Sequence, residues 1–264
     1  MKIFEPLKGL GSRILASRGL KVIRASTQDR AWPVELSGDD RQIVEYVTQN
    51  HLTMVSDERL YTTLMACQHV ARRGIPGDFV ECGVWRGGNS IVAADTFRRL
   101  APDRSVYLFD TFAGMTAPSE RDISYVGDTA DAEFSRGQQE GFNEWCYAPL
   151  DEVRSNFLKA GLAGPNIKFV QGDVLETLGE PTFLPETISV LRLDTDWYES
   201  TKRELEVLYP RLSEGGVLII DDYGHWGGAK QAVDEYFETH PRPFLQYTDY
   251  TGRVGVKVAA PPPQ

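Results

Sequence analysis

The chain of 264 residues has no run of about 18 apolar residues, which excludes a membrane-spanning helix. Cysteine is scarce: Cys67, Cys82 and Cys146 cannot build a disulfide framework, and no C-x-x-C pair points to structural zinc. The four histidines, His51, His69, His225 and His240, are too scattered for a histidine-based metal motif. Basic charge is in deficit, with 28 Lys+Arg against 38 Asp+Glu and a net charge of −10. Such a chain binds nucleic-acid phosphates poorly unless a basic patch is segregated. The remaining composition, 41% apolar and 25% charged, is that of an ordinary globular protein with room for one large α/β domain or two small ones.

The charge is uneven. Lys2, Lys8, Arg13, Arg18, Lys21, Arg24 and Arg30 crowd the first 30 residues against Glu5 and Asp29. Arg13 and Arg18 interrupt the apolar stretch that a signal peptide needs, so the chain reads as cytoplasmic. This segment suits either a surface helix for anionic lipid or an arm packing on its own domain or a partner subunit. Gly9, Gly11 and Gly19 weaken a continuous helix and favour the arm. The arm is expected to extend to about residue 50, within a single domain spanning 1–264.

From about 39 to 73 the apolar spacing is helical, with Ile43, Val44, Tyr46 and Val47 in one cluster and Leu60, Leu64, Met65 and Val70 in a second. Then the period changes. Residues 78–84, 106–110, 167–170, 188–194 and 217–221 are short, apolar runs bounded by glycine or acid. Helices alternate with them over 91–100, 151–160 and 230–240, Asn89 or Ser90 capping the first. Another helix lies after 194, where Ser200 or Thr201 can cap it and Thr201 with Glu204 fits a capping box. This alternation predicts a parallel sheet covered on both faces. Two short β runs, 244–247 and 253–258, joined by Asp249-Tyr250-Thr251-Gly252, predict a hairpin and an antiparallel last strand. Residues 259–264 read as a frayed tail. Residues 112–150 break the alternation; they are rich in glycine, acids and aromatics (Tyr125, Phe134, Phe142, Trp145, Tyr147) and read as a functional lid.

In an open α/β sheet, ligands bind beyond the carboxyl ends of the strands. Here those ends carry Glu81, Asp110, Asp173, Asp194 and Asp221-Asp222. Gly83, Gly87 and Gly88 permit close backbone approach, but the spacing fits neither a dinucleotide fingerprint nor a P-loop. Glu81 repels pyrophosphate and can pair with an ammonium, Asp110 is placed to accept two ribose hydroxyls, and Asp173 can accept from an exocyclic amine or merely cap a helix. Together these describe S-adenosylmethionine better than NAD or ATP. Neighbouring strand ends lie about 5 Å apart, so Asp194, Asp221 and Asp222 would repel one another, and a hard cation such as Mg²⁺ resolves that repulsion. Asp196 adds a fourth acid, facing the same side as Asp194 if the chain stays extended.

The stretches FVECGVWRGGNS, LFDTFAGM, LRLDTDWYESTKRELEVLYPRL and GGVLIIDDYGHWGGAKQAVDEYF resemble the macrocin O-methyltransferase family, over about Leu52 to Phe237. The resemblance implies a class I, Rossmann-like methyltransferase with a seven-stranded sheet that methylates sugar hydroxyls on macrolide and aminocoumarin antibiotics. It implies Mg²⁺ held by Asp194, Asp221 and Asp222. It also implies S-adenosylmethionine held by Glu81, Cys82, Gly83, Val84 and Trp85, by Asp110, and by Asp173 with Val174. Trp85 stands where the general methyltransferase loop has its middle glycine, in agreement with this subfamily.

A sugar with vicinal hydroxyls can chelate Mg²⁺, and Asp194, Asp196 or His225 is the candidate base for the hydroxyl proton. His225 also suits a loop role, bonded to backbone. A catechol-type phenol presents the same pair of oxygens. A non-catalytic S-adenosylmethionine-binding protein would have no use for the acid triad. The partners expected are a glycosylated small molecule and further copies of the chain in a homo-oligomer, with no nucleic acid and no membrane. The absence of an Asn/Asp-Pro-Pro-aromatic motif agrees with that.

Overall fold

The computed structural model describes residues 32–259; the expectations for the basic segment 1–31 and for 260–264 lie outside the described residues. From Gly38 onward the chain forms one compact body, and the segment ending at Ser37 is a separate unit. The body therefore begins within the stretch that the sequence assigned to an arm. Helix α1 (Gly38–Gln49) buries Ile43, Val44 and Val47 and packs on α3 (Gly88–Leu100). Helix α2 (Asp57–Arg72) follows; Ser56 caps it by accepting from the Arg59 amide at 3.3 Å, acids fill its first turn and His69 and Arg72 its last, as the helix dipole favours. Met65, grouped by its spacing with the apolar face, is instead exposed.

The sheet has the order β3-β2-β1-β4-β5-β7-β6, from β1 (Asp78–Cys82), β2 (Val106–Asp110), β3 (Ile167–Gln171), β4 (Ile188–Leu193), β5 (Leu212–Ile220), β6 (Gln246–Tyr247) and β7 (Arg253–Val256). Strands β1 to β5 pair in parallel, and β7 runs antiparallel to both β5 and β6. This is the seven-stranded sheet, with its last strand antiparallel, that the resemblance implies. Every residue of β4 is buried, as a strand covered on both faces requires. Leu191, Ile188 and Val190 each lose all their exposure there, contributing roughly 1.5–3 kcal/mol apiece. The strand order reverses between β1 and β4, which opens a crevice at their carboxyl ends.

The remaining α-helices among the described residues are α4 (Asp131–Gly137), α5 (Leu150–Lys159), α6 (Val174–Thr177), α7 (Tyr198–Leu208) and α8 (Gly227–Thr239). Two helix starts differ from the sequence expectation. Helix α3 begins at Gly88 without a side-chain cap, because Ser90 donates inward to Glu81 and Asn89 accepts from Thr63 at 2.8 Å. Helix α7 begins at Tyr198, ahead of Ser200 and Thr201. Its first amide donates to Asp122 at 2.9 Å, and Glu204 accepts from Thr195 instead of closing a capping box.

Candidate active site

The chain turns sharply after β1. Gly83 (φ 79°), Trp85 (φ 48°) and Gly87 (φ 91°) all adopt left-handed backbone conformations, unusual for a tryptophan and costing about 1–3 kcal/mol. Asp110, at the end of β2, holds this turn: one carboxylate oxygen accepts from the amides of Val84 (2.6 Å) and Trp85 (3.0 Å), the other from Phe112 (2.6 Å). Burial raises the pKa of Asp110 against those three amides. Glu81, Gly83, Val84, Trp85, Asp110, Asp173 and Val174 all line one cleft of about 410 Å³. Cys82 does not: strand alternation turns it into the core, where it is fully buried. Asp173 also caps α6, accepting from the Leu175 amide at 2.9 Å. Both oxygens of Glu81 are occupied, by Ser90 and by Arg192 (3.0 Å), and burial pushes its pKa up to about 7.

The second wall carries the acids. One oxygen from each of Asp194, Asp221 and Asp222 lies within 4.8 Å of the others. Their repulsion is met in part by two guanidinium groups that the strand-end argument overlooked. Arg192, the one charged residue in β4, has no exposed surface and pairs with Glu81, Asp194 and Asp221. Arg59, from α2, pairs with Asp221 and with Asp249 (3.0 Å) of the β6–β7 turn. A lone arginine in an apolar strand was the available signal, since a buried charge needs a partner. Burial, helped by the neighbouring carboxylates and opposed by Arg192, raises the pKa of Asp194 to about 6 and that of Asp221 to about 7, and lifts Asp222 well above the ordinary value.

Asp196 does not follow Asp194 in an extended chain; its φ of 67° marks a turn. The turn still brings it to the acids, where it hydrogen-bonds with Asp222 and Trp226, and burial raises its pKa to about 7. His225 reaches the mouth of the cleft but bonds through Nδ1 to the Tyr250 hydroxyl at 3.0 Å. Burial, with Arg59 nearby, lowers its pKa.

Met115, Thr116, Trp145 and Cys146, from the segment between β2 and α5, complete the cleft. The segment is pinned at one end by Asp122, fully buried against the start of α7. It also carries its own short helix, α4. Trp145 stacks edge-on against Trp197 and Trp226, with ring centres 5.5 and 6.2 Å away. Beneath the acids, the Thr195 hydroxyl bonds Glu204 and Ser200, both at 2.8 Å, which fixes the turn between Asp194 and Asp196.

A divalent cation fits this donor set. Five carboxylates (Glu81, Asp194, Asp196, Asp221 and Asp222) face two guanidinium groups, and the three convergent oxygens are hard ligands of the kind Mg²⁺ takes. S-adenosylmethionine fits the opposite wall, where Gly83, Val84, Trp85, Asp110, Asp173 and Val174 line the same cleft.

Comparison with known proteins identifies one family. The model of the macrocin-O-methyltransferase family matches residues 12–251. The chain is 38% identical over 188 residues to demethyldecarbamoylnovobiocin O-methyltransferase of Streptomyces niveus, covering 71% of this chain and 68% of that protein. It is likewise 38% identical over 186 residues to the 8-demethyl-8-(2,3-dimethoxy-alpha-L-rhamnosyl)-tetracenomycin-C 4'-O-methyltransferase of Streptomyces olivaceus, covering 70% and 67%. The structure of the O-methyltransferase NovP superposes with a TM-score of 0.74 at 30% identity, over 83% of this chain and 98% of that one.

Proposed function

The chain belongs to the macrocin O-methyltransferase family and is an S-adenosylmethionine-dependent O-methyltransferase; from that premise we propose that it methylates, with Mg²⁺, a hydroxyl of a deoxysugar carried on a glycosylated small molecule. The observation that carries this reading is the convergence of Asp194, Asp221 and Asp222 beside Asp196 in the cleft that the Gly83–Trp85 turn also lines. A rhamnosyl acceptor is the natural first candidate, since one relative's name specifies that sugar.

When bound, S-adenosylmethionine supplies an electrophilic methyl group, and Mg²⁺ held by Asp194, Asp221 and Asp222 supplies positive charge that favours ionisation of an acceptor hydroxyl. The Gly83–Trp85 turn, fixed by Asp110, receives the methionyl end of the cofactor, and Asp173 with Val174 its adenine end. The Asp196 carboxylate, in the same cleft beside the three convergent acids but outside that set, takes the hydroxyl proton. Asp194 is committed to Arg192 and the metal set, and His225 to Tyr250, so both are weaker candidates for the base. Trp145 and Met115 shield the reacting groups from water, and positioning supplies much of the rate.

The test is turnover of rhamnosides with S-adenosylmethionine, read by mass spectrometry, with and without chelator. Asp221→Asn or Asp222→Asn should lower kcat by roughly 10²-fold while cofactor affinity stays within a few-fold, and Asp196→Asn should lower kcat by a comparable factor. Full activity after chelation, with no divalent ion found by elemental analysis, would remove the metal from the mechanism.

A further inference from the structure

The cleft opens past a rim of three rings that the chemistry above leaves unused. Tyr125 comes from the segment between β2 and α5, His225 from the β5–α8 loop and Tyr250 from the β6–β7 turn. Their ring centres form a triangle with sides of 5.3, 5.5 and 5.9 Å, and the rings are inclined by 57–69°. Tyr125 is 65% and Tyr250 51% exposed. Large aromatic surface left in water beside an active site calls for a ligand, because the hydrophobic effect penalises it otherwise.

The rim is built stiffly. The Tyr125 amide donates to the His225 carbonyl at 2.8 Å, Gly227 donates to Ile123 at 2.8 Å, and Gly224 donates to Thr251 at 2.8 Å. A methyl group on Gly224 would overlap the Tyr250 carbonyl, so those two backbones lie in direct contact. The Tyr250 hydroxyl bonds His225 Nδ1, which fixes both rings. Backbone bonds thus hold three separate loops together, and the rings need little further ordering when a guest arrives.

Position decides what the guest is. His225 and Tyr250 line the same cleft as Asp196 and Asp222, whereas Tyr125 stands outside it against both rings. A sugar hydroxyl at the acids leaves whatever the sugar is attached to emerging over the rim. We propose that Tyr125, His225 and Tyr250 form the aglycone subsite, and that it selects acceptors whose sugar is carried on a planar aromatic group. The proposal rests on the sugar-methylation reading above. Inclined rings offer π faces and edges to a flat ring, the geometry that aromatic pairs prefer.

The experiment compares 4-methylumbelliferyl, octyl and methyl α-L-rhamnosides by kcat/KM, in the wild type and in Tyr125→Ala/Tyr250→Ala. The wild type should prefer the aryl glycoside over the methyl one by about tenfold and over the octyl one by several-fold. The double variant should bring both ratios near one, and Tyr125→Phe/Tyr250→Phe, which keeps the rings and the backbone bonds of the rim and gives up only the hydroxyl bond to His225, should restore most of each ratio. Ratios near one in the wild type, or unchanged in the alanine variant, overturn the subsite; an octyl preference equal to the aryl one overturns its aromatic character. If no rhamnoside is methylated, the rhamnosyl acceptor fails separately. Fluorescence titration with free 4-methylumbelliferone then decides the subsite: saturable binding lost in the alanine variant and kept in the phenylalanine variant supports it, and any other result overturns it.

Discussion

Gly83 and Asp194 are in backbone contact: a Cβ on Gly83 would overlap the Asp194 carbonyl oxygen. The turn proposed to face the cofactor and the turn that carries the first acid of the proposed metal set therefore rest on one another, so a shift of one wall moves the other. The Asp194 amide also donates to the Cys82 carbonyl at 2.9 Å, closing the same contact from the other side.

Gly83→Ala should for this reason damage both functions at once. The residue has φ of 79° and no room for a methyl group, so roughly 2 kcal/mol or more of stability should be lost. Calorimetry should show S-adenosylhomocysteine affinity falling by at least tenfold. Thermal melts and affinities indistinguishable from wild type would show that the two turns do not depend on this contact.

Arg192→Met tests the buried counter-charge. It takes the guanidinium from Glu81 and Asp194 and leaves Asp221 with Arg59 alone, and losing one partner of a buried ion pair costs about 3–5 kcal/mol. Saturating Mg²⁺ should return part of that loss, because a ligand that binds only the folded chain stabilises it. Urea denaturation with and without Mg²⁺ measures both effects. A variant as stable as wild type would mean that the carboxylates protonate or find other donors without cost.

The strands and their terminal acids were legible because fully buried parallel strands run apolar until they reach the crevice. Where two of the helices begin was not. Ser90 and Asn89 look like caps in sequence, yet tertiary partners at Glu81 and Thr63 hold them inside α3. The amide at the start of α7 finds its acceptor in Asp122, 76 residues earlier, a partner that no local pattern reveals. The charge balance of the site was misjudged for the same reason: Arg59 reaches Asp221 across 162 positions of sequence. Arg192, two residues from Asp194, was visible all along as a charge in an apolar strand.

Asp249 links α2 to the β6–β7 turn, and it gives a pH dependence of definite sign. Burial alone would raise its pKa, but the Gly252 amide, the Ser56 hydroxyl and Arg59 outweigh burial and hold it below the ordinary value. A depressed folded-state pKa stabilises the protein fully above the unfolded value of about 3.9, and that contribution fades as pH falls through the folded value. Asp249→Asn should thus cost about 1–2 kcal/mol at pH 7. The gap between variant and wild type should narrow on the acid side, toward about pH 3. Urea denaturation across this range checks it, and a gap that widens with acid would contradict the assignment.

The segment between β2 and α5 offers the last prediction. Its two ends are fastened, by Asp122 against α7 and by Asn143, whose amide donates to Ala113 at 2.7 Å and whose side chain donates to the Phe134 carbonyl at 2.8 Å. Between them α4 buries none of its residues, and Arg136 is exposed within it. Few buried contacts mean a low free energy of local opening, so trypsin should cut after Arg136 early in the free enzyme. Met115 and Trp145, on either side of α4 in sequence, line the cleft, so a ligand bound there adds contacts that opening must break. S-adenosylhomocysteine with Mg²⁺ should slow the cut several-fold. Trp145→Ala should lose that protection while its cutting in the absence of ligand is no slower than wild type. Equal cutting rates with and without ligand in the wild type would show that the segment is an ordered insertion insensitive to the cleft, not a lid coupled to it.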